Sequence, residues 1–384
     1  MAFVVDILLL ASLAGSGLLL WAAWLMRRGG EKAPRQSAGE APPVTILKPL
    51  HGAEPRLFDN LATAIDQDYA GRVELIGGVA RAGDPAAAVL TRLRDRHPGA
   101  DIRLVTDPRQ WGRNAKVSNL ANMMAHARHD LIVLADSDMA VPRDYVARLT
   151  AALDDHDVGA VTCLYVGRGD AGFWSRLTAI GIDLHFLPAT LIGLATGLGR
   201  PCMGSTIALR RRTLEEIGGF AAFADTLADD YAIGAAVRDL GRAVVVPDMV
   251  LVHCCAETSL AAVVRQELRW NATIAGIDPA GYAGSAILHP LPFALAAWAL
   301  GGAPLAVVLA LAARVAVAFG AAGLAGRRRS ALGLIGTIAM IPLRDALSFG
   351  LFLASFGVRS VDWRGADIKI GRKGRLPGRK DLSS

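Results

Sequence analysis

The stretch DLIVLADSDMAVPRDY, residues 130–145, decides the expected fold. Its residues 131–135 are apolar without interruption, which is typical of a strand buried on both faces. Such strands belong to parallel sheets, and ligands bind beyond their carboxyl ends. Asp136 and Asp138 follow directly, and carboxylates two residues apart in extended chain point to the same side. The pair predicts a site for one hard divalent cation that could hold a diphosphate, and the alternative is a turn or a helix cap.

Strand-like and helix-like segments alternate around this stretch. Strand patterns cover 44–49, 73–79, 102–105, 131–135, 158–165, 204–210 and 243–246. Helical spacing covers 56–67, 84–97, 114–127, 145–153, 226–240 and 259–270. This alternation predicts an α/β fold with a doubly wound, mostly parallel sheet.

The composition departs from that of an ordinary soluble enzyme. Of 384 residues, 53% are hydrophobic and 20% charged, and the apolar excess lies at the N-terminus and in the last third. We therefore expect a soluble domain held between membrane segments. The net charge of +6 comes from basic residues beside the apolar segments, which suits an anionic membrane face. The sequence contains no basic-aromatic module of the kind that binds nucleic acid. The four cysteines lack the spacing of a metal site or of a disulfide framework.

The N-terminal segment predicts a membrane anchor. Residues 4–26 are apolar and long enough to span a bilayer, and Arg27 and Arg28 follow at once. By the positive-inside rule the N-terminus lies outside and the following domain in the cytoplasm. A cleaved signal peptide is the alternative. The predicted organisation is a transmembrane helix over 1–26, a linker over 27–43 and a catalytic domain over 44–270.

Inside that domain, residues 173–198 are apolar, with several glycine and proline residues and few charges. The segment predicts a helix and loop that face the membrane surface. The alternative is a buried core helix.

The last third predicts membrane helices over 271–356 and a basic cytoplasmic tail over 357–384. Residues 287–300 and 304–324 fit an out-and-back hairpin. Residues 331–356 form a further apolar segment, which is either a span or a re-entrant segment. Arg344 and Asp345 lie within it, and we expect them to be paired near the headgroups or facing protein.

Two further clusters suit a nucleotide. Asp84 follows the second strand, so it lies at the same sheet edge as the central acids and could bond a nucleoside. A helix N-cap is the alternative. Lys116 ends the sequence WGRNAK at a helix start, where glycine, helix N-terminus and lysine together suit phosphate. A solvated basic turn is the alternative.

A third and a fourth cluster follow later in the chain. Asp229 and Asp230 are adjacent carboxylates that repel, so one could have a raised pKa and act as a base, unless both are first-turn helix acids. Gln266, Arg269 and Trp270 stand at i, i+3 and i+4 and share one helix face. Arginine can hold a diphosphate and an indole can cover a sugar or lipid edge, whereas the alternative is an ordinary amphipathic helix.

The order of these residues resembles a known pattern. It runs Asp84, Asp136 with Asp138, Asp230, and then Gln266, Arg269 and Trp270. This order resembles the D, D, D, Q/R-x-x-R-W pattern of family 2 and 21 glycosyltransferases with a GT-A fold. The segments ILKPLHG, NAKVSNL, LADSD, ADDYAIG and QELRW are similar to those of ceramide glucosyltransferases and of bacterial hopanoid-biosynthesis glycosyltransferases. The sequence VARAGD, residues 79–84, departs from relatives that often carry more acids there.

The resemblance implies a mechanism and a role for each residue. Asp136 and Asp138 would hold Mg²⁺ or Mn²⁺ on the diphosphate of a UDP-sugar, and Asp230 would take the proton from a lipid hydroxyl. A single displacement would invert the anomeric centre. The remaining members would bind the nucleotide-sugar: Asp84, Lys116, Gln266, Arg269 and Trp270. The enzyme would be a multi-pass protein of the bacterial inner membrane with its catalytic domain in the cytoplasm.

The acceptor is expected from the resemblance as well. The segments VTCLYVG, DLHFLPA and RPCMGSTIALRR favour transfer of N-acetylglucosamine from UDP-N-acetylglucosamine to a polyhydroxylated hopanoid. A ceramide glucosyltransferase that uses UDP-glucose is the alternative. A processive polysaccharide synthase would need more spans, and a non-enzymatic membrane scaffold would need no aligned acids.

Overall fold

The structure is a computed structural model that describes residues 1–28, 41–324, 326, 331–358, 360–363 and 366–369. The chain divides into two units. The first, called the helical unit, comprises Met1–Gly30, Val166–Arg200 and Glu257–Ser384. The second, called the sheet unit, comprises Glu31–Tyr165 and Pro201–Ala256.

The elements have the following bounds. The strands are β1 (Val44–Pro49), β2 (Val73–Val79), β3 (Asp101–Thr106), β4 (Leu131–Leu134), β5 (Met139–Ala140), β6 (Val158–Thr162), β7 (Leu164–Gly169), β8 (Ile207–Arg210), β9 (Ala243–Val245), β10 (Val250–Cys255), β11 (Ser360–Trp363) and β12 (Ala366–Lys369). The helices are α1 (Ala2–Arg28), α2 (Leu57–Ile65), α3 (Pro85–Arg96), α4 (Ala115–Met124), α5 (Tyr145–Leu153), α6 (Phe173–Gly181), α7 (Leu187–Thr196), α8 (Arg211–Glu216), α9 (Asp229–Asp239), α10 (Leu260–Ile277), α11 (Pro279–Gly284), α12 (Pro290–Ala299), α13 (Leu305–Leu324) and α14 (Ala331–Ser355).

The sheet unit is built on a seven-stranded sheet with the order β3-β2-β1-β4-β8-β6-β9. Strand β8 pairs antiparallel with β4 and β6, and the other pairings are parallel. Strand β4 is buried along its length, and its residues alternate between two cores, with Val133 in one and Ile132 and Leu134 in the other. Helices therefore cover both faces, and the predicted doubly wound, mostly parallel sheet is confirmed.

Some boundaries differ from the prediction. The single strand expected over 158–165 is two strands, β6 and β7, that separate at Cys163. The strand expected over 204–210 begins at Ile207, because Gly204 N donates to the carboxylate of Asp230 (2.9 Å) and Thr206 N donates to Met203 O (3.2 Å), so residues 203–206 form a turn. Strands β5 and β10 were not predicted, and with β7 they form a second sheet in the order β5-β10-β7.

Helix α1 confirms the predicted N-terminal helix. Its 27 residues would extend about 40 Å, which exceeds the hydrocarbon thickness of about 30 Å. It ends in Arg27 and Arg28, as the sequence indicates. Most of the predicted linker, residues 29–40, lies outside the described residues.

Residues 173–196 form one continuous helical run, whereas a helix and loop were expected over 173–198. Helix α6 passes through a π-helical turn, Ile182–Phe186, into α7, which ends at Thr196 and is followed by Gly197 with φ 71°. Pro188 lies just after the π-helical turn, where the backbone bonds already depart from the α-helical pattern, and the run continues through it. Leu187 is fully buried, as the core-helix alternative expects for that position.

The C-terminal helices differ from the expected hairpin. Helix α12 has 10 residues, about 15 Å, too short to cross a bilayer alone. Among the described residues, four helices are long and apolar enough to cross a membrane: Ala2–Arg28, Phe173–Thr196, Leu305–Leu324 and Ile335–Ser355. Most of the predicted tail, residues 370–384 among them, lies outside the described part of the chain.

Candidate active site

The carboxyl ends of β1 and β4 bring a buried lysine beneath the central acids. Lys48 is 1% exposed, and its Nζ donates to the backbone oxygen of Asp136 (2.7 Å). Burial lowers the pKa of Lys48 to about 8, although the carboxylates of Asp136 and Asp138 oppose the shift. The lysine thus fixes the backbone of the turn that carries both acids.

Asp136 and Asp138 are held by different cations. The side chain of each is 35% exposed. Asp136 Oδ1 lies 2.7 Å from Lys116 Nζ, and Asp138 Oδ2 lies 3.1 Å from His253 Nε2. Asp138 Oδ1 is buried and has no hydrogen-bond partner within the described chain. A buried carboxylate oxygen without a donor indicates a place for a ligand.

His253 is a site residue that sequence reasoning missed. It lies in β10, where it pairs in register with Met139, one residue after Asp138. Burial disfavours the charged imidazole, but the carboxylate of Asp138 outweighs burial and raises the pKa of His253 well above its usual value. The signal in the sequence is a single histidine within the apolar run Val250–Cys255, which itself reads as a short strand.

Lys116 lies among carboxylates at the start of α4. Asn114 caps this helix by accepting from Val117 N (3.0 Å). Lys116 Nζ contacts Asp136 and lies 3.8 Å from Asp229 Oδ2. Burial opposes its charge, yet these carboxylates raise the pKa of Lys116. Its contact to phosphate stays a prediction.

Gly204 leaves the space between these groups open. A Cβ there would lie 3.0 Å from Lys116 Nζ, 3.3 Å from Asp230 Oδ2 and 3.4 Å from Asp136 Oδ2. A side chain at this position would therefore fill the space around which the three charged groups converge.

The adjacent acids Asp229 and Asp230 have different environments. Asp229 is 5% exposed, and Asn114 Nδ2 donates to its Oδ1 (3.1 Å). Burial raises the pKa of Asp229 to about 6; Lys116 opposes the shift and Asp230 adds to it. Asp230 is partly exposed, and its carboxylate accepts from Gly204 N (2.9 Å) and Tyr231 N (2.8 Å). The raised pKa thus belongs to the buried acid, while the accessible one remains the predicted base.

Asp84 is a helix cap, the alternative that the sequence left open. Its Oδ1 accepts from Ala86 N (2.9 Å) at the start of α3 and from Gly52 N (2.9 Å) in the loop after β1. Its Oδ2 lies 3.5 Å from His51 Nδ1. These contacts tie the two loops together at the same sheet edge, and a nucleoside contact stays a prediction.

Gln266, Arg269 and Trp270 lie on α10 in the helical unit. Arg269 Nη2 donates to Gln266 Oε1 (3.3 Å), as expected for residues that share one helix face. Their predicted contact with a nucleotide-sugar stays a prediction.

The acids at the sheet edge fit a hard divalent cation in their chemistry. The described residues contain no group of three or more histidine, cysteine, aspartate or glutamate side chains arranged to hold a metal. Mg²⁺, however, is commonly held by one or two carboxylates with substrate phosphates and water completing its shell. The unpartnered oxygen of Asp138 and the half-exposed carboxylate of Asp136 are donors of that kind.

Comparison with known proteins assigns the family. The family model described as "Glycosyl transferase family 21" matches residues 4–376. The chain belongs to this family. The glycosyltransferase is 25% identical over 202 residues to ceramide glucosyltransferase 1 of Caenorhabditis elegans, a match that covers 52% of this chain and 43% of that protein. It is 33% identical over 115 residues to the ceramide glucosyltransferase of Komagataella phaffii, covering 29% and 22%. The chain spans less than half the length of these two relatives.

A solved structure supports the fold. The glycosyltransferase superposes on a mannosyltransferase from Pyrobaculum calidifontis, determined with GDP-Man and Mn²⁺, with a TM-score of 0.53 and 23% identity. The match covers 92% of this chain and 97% of that one. The predicted GT-A fold with N-terminal and C-terminal apolar helices is confirmed.

Proposed function

We propose that the glycosyltransferase moves a sugar from a UDP-sugar to a lipid hydroxyl. The observation that carries the proposal is the buried, unpartnered Oδ1 of Asp138 at the carboxyl end of β4, in a site that also holds the partly exposed Asp230. Helices long and apolar enough to cross a membrane support a lipid acceptor. The ceramide glucosyltransferase relatives support it further.

Several site residues are proposed to bind and activate the sugar donor. Asp136 and Asp138 would hold Mg²⁺ or Mn²⁺, which when bound neutralises charge on the leaving diphosphate. His253 holds one oxygen of Asp138, and Lys48 fixes the turn beneath both acids. Lys116 supplies a fixed positive charge beside Asp136. The resemblance adds further donor-binding residues, which we include in the proposal: Asp84, Gln266, Arg269 and Trp270.

Asp230 is the proposed base. Two backbone N–H groups, of Gly204 and Tyr231, donate to its carboxylate and fix its orientation. Asp230 would accept the proton of the lipid hydroxyl as that oxygen attacks the anomeric carbon. Attack from the face opposite the leaving UDP forms the glycosidic bond as the bond to UDP breaks, and inverts the centre.

The proposed acceptor is a polyhydroxylated hopanoid, with N-acetylglucosamine as the sugar, on the sequence segments that resemble hopanoid enzymes. Glucose transfer to ceramide is the second candidate, because the curated relatives are ceramide glucosyltransferases. The proposed location is the bacterial inner membrane with the catalytic part in the cytoplasm, on the evidence of Arg27 and Arg28 at the end of α1.

The test uses purified full-length protein in lipid nanodiscs with Mg²⁺ or Mn²⁺. UDP-N-acetylglucosamine or UDP-glucose is supplied with a polyhydroxylated hopanoid or with ceramide, and products are identified by mass spectrometry. We expect an N-acetylglucosaminyl hopanoid, whose formation stops in excess chelator. Glucosylceramide would support the second candidate, a long polysaccharide would support a processive synthase, and no glycosylated product with any pair would refute the proposal.

A further inference from the structure

Helix α10 carries a carboxylate on its buried face. Its buried residues include Val263 and Glu267, which stand at i and i+4 and therefore share one face. Glu267 is 7% exposed, at a position where an amphipathic helix would normally place an apolar side chain. It follows Gln266 directly, and successive helix residues are rotated by about 100°. Arg269 is two residues beyond Glu267, about 200° around the helix, so its side chain lies on nearly the opposite side, while Trp270, at i+3, lies next to Glu267.

Arg344 of α14 is the partner of Glu267. Its Nη1 donates to Glu267 Oε1 (2.7 Å) and its Nη2 donates to Glu267 Oε2, so the pair is bidentate. Arg344 is 3% exposed and lies near the middle of the candidate span Ile335–Ser355. A charge at such a depth is retained when it has a specific task.

The surroundings of Arg344 hold its guanidinium in one place. Nη1 also donates to the carbonyl of Leu177 in α6 (3.2 Å), and Nε donates to Ser348 Oγ one turn along α14 (3.0 Å). Gly181, at the end of α6, faces the guanidinium so closely that a Cβ there would lie 2.6 Å from Arg344 Cζ. The arginine therefore links α6, α10 and α14 within the helical unit.

We propose that Arg344 is a positioning residue for the Gln266, Arg269 and Trp270 face of α10. A bidentate bond to Glu267 fixes the rotation of α10 about its own axis as well as its distance from α14. It thereby fixes the direction in which Arg269 points. The inference rests on the proposed function, in which that face binds the nucleotide part of the donor.

The neighbouring residue Asp345 offers a matched comparison. It is as buried as Arg344, at 1% exposed; its ionic partner in the described chain is Arg314 (3.0 Å), and His185 Nε2 lies 3.0 Å from its other oxygen. Loss of this pair should lower stability without loosening the bond that holds Glu267. A purely structural role for Arg344 would make the two pairs behave alike.

The experiment measures the melting temperature and the Kd for UDP with Mn²⁺ in full-length protein in nanodiscs. Arg269→Ala tests whether the face binds UDP. Glu267→Gln and Arg344→Met break the ion pair, and Asp345→Asn, which removes a different buried charge, is their control. The double variant Glu267→Leu/Arg344→Met removes both charges of the pair together. Replacing a buried ion pair by apolar residues often restores stability.

Gly181→Ala displaces the guanidinium without removing a charge, and Gly350→Ala, whose Cβ would meet nothing within 4 Å, is its control.

We expect Glu267→Gln, Arg344→Met and Gly181→Ala to raise the Kd for UDP roughly 10- to 100-fold, as small displacements of binding groups do. Asp345→Asn and Gly350→Ala should leave the Kd at the wild-type value, and the double variant should regain its melting temperature but not its affinity. A Kd that follows the melting temperature through every variant would overturn the inference, as would an unchanged Kd in Glu267→Gln and Gly181→Ala while Arg269→Ala binds weakly. Failure of wild-type protein to bind UDP would instead overturn the proposed function and this inference with it.

Discussion

The carboxylate of Asp138 at the sheet edge and the guanidinium of Arg314 in the helical unit are arranged in opposite ways. Asp136 and Asp138 are each 35% exposed, and one oxygen of Asp138 has no partner in the described chain. Arg314 in the helical unit is 0% exposed, and all three of its guanidinium nitrogens have acceptors. Asp138 thus keeps a buried oxygen without a donor, whereas the guanidinium of Arg314 uses every nitrogen in bonds to the protein.

The difference follows from the cost of burying charge. A charge in a helix that crosses a membrane is tolerated when protein groups satisfy it, so its partners are internal and its role is to fix helices in place. A half-exposed carboxylate keeps part of its hydration and can exchange water for a ligand. We therefore propose that the carboxylates at the sheet edge take part in the reaction and that the buried charges of the helical unit hold helices in place. Variants in each group test this assignment.

The largest effect is expected for Asp138→Asn. Loss of the carboxylate removes a proposed metal donor and should lower turnover by 10²-fold or more, on the order of the loss of an electrostatic catalytic group. Stability should fall as well, because the buried His253 loses its carboxylate partner, so turnover is expressed per folded molecule. UDP release assays and thermal unfolding measure both quantities. Asp130→Asn, at the opposite end of the same strand and 93% exposed, is the control, and equal turnover in the two variants would contradict the assignment.

For Asp345→Asn, the main expected effect is a loss of stability. Removing the carboxylate leaves the guanidinium of Arg314 buried without its counter-ion, which should lower the free energy of unfolding by about 3–5 kcal/mol. Turnover per folded molecule should be kept. Thermal unfolding in nanodiscs, with activity normalised to folded protein, checks this. Loss of turnover without loss of stability would place Asp345 among the catalytic groups.

A smaller effect is expected for Gly204→Ala. The added methyl enters the space between Lys116, Asp136 and Asp230, so it should weaken UDP binding by about tenfold, or 1.4 kcal/mol. Calorimetric titration with UDP and Mn²⁺ measures the change. Gly99→Ala, where a Cβ meets nothing within 4 Å, is the matched control. Unchanged affinity in Gly204→Ala would mean that the ligand does not use this space.

The smallest effect is expected for Arg143→Ala. Its pairs with Asp66 and Asp68 join side chains that are all more than 60% exposed, and such surface pairs contribute little. Neither the melting temperature nor turnover should change measurably. A clear loss of melting temperature or of turnover would show that the exposure of a charged side chain does not predict its contribution.

The fold could be predicted because its decisive signals are local. The apolar run that forms β4 and the alternation of strands and helices around it specify the sheet before any tertiary contact is known. The placement of Lys48, Asp136 and Asp138 at one edge follows from the shared direction of β1 and β4. These inferences need only sequence neighbours and strand polarity.

The remaining features depend on contacts between distant segments. His253 reaches Asp138 through β10, a short strand whose pairing with β5 no local pattern indicates. Arg344 and Asp345 were expected to be paired near the headgroups or to face protein; both are buried against protein, and adjacent helix residues do not face each other. Each instead pairs with a different segment, Arg344 with Glu267 and Asp345 with Arg314.

The kinetics of Asp230→Asn test the central claim most directly. Asp230 is accessible and oriented by two backbone donors, whereas Asp239, at the other end of α9, provides a control substitution in the same helix. The account predicts that Asp230→Asn lowers kcat for lipid glycosylation by roughly 10²- to 10⁴-fold, as loss of a general base does, while the Kd for UDP stays near that of wild type and Asp239→Asn remains active. Wild-type kcat in Asp230→Asn would contradict it.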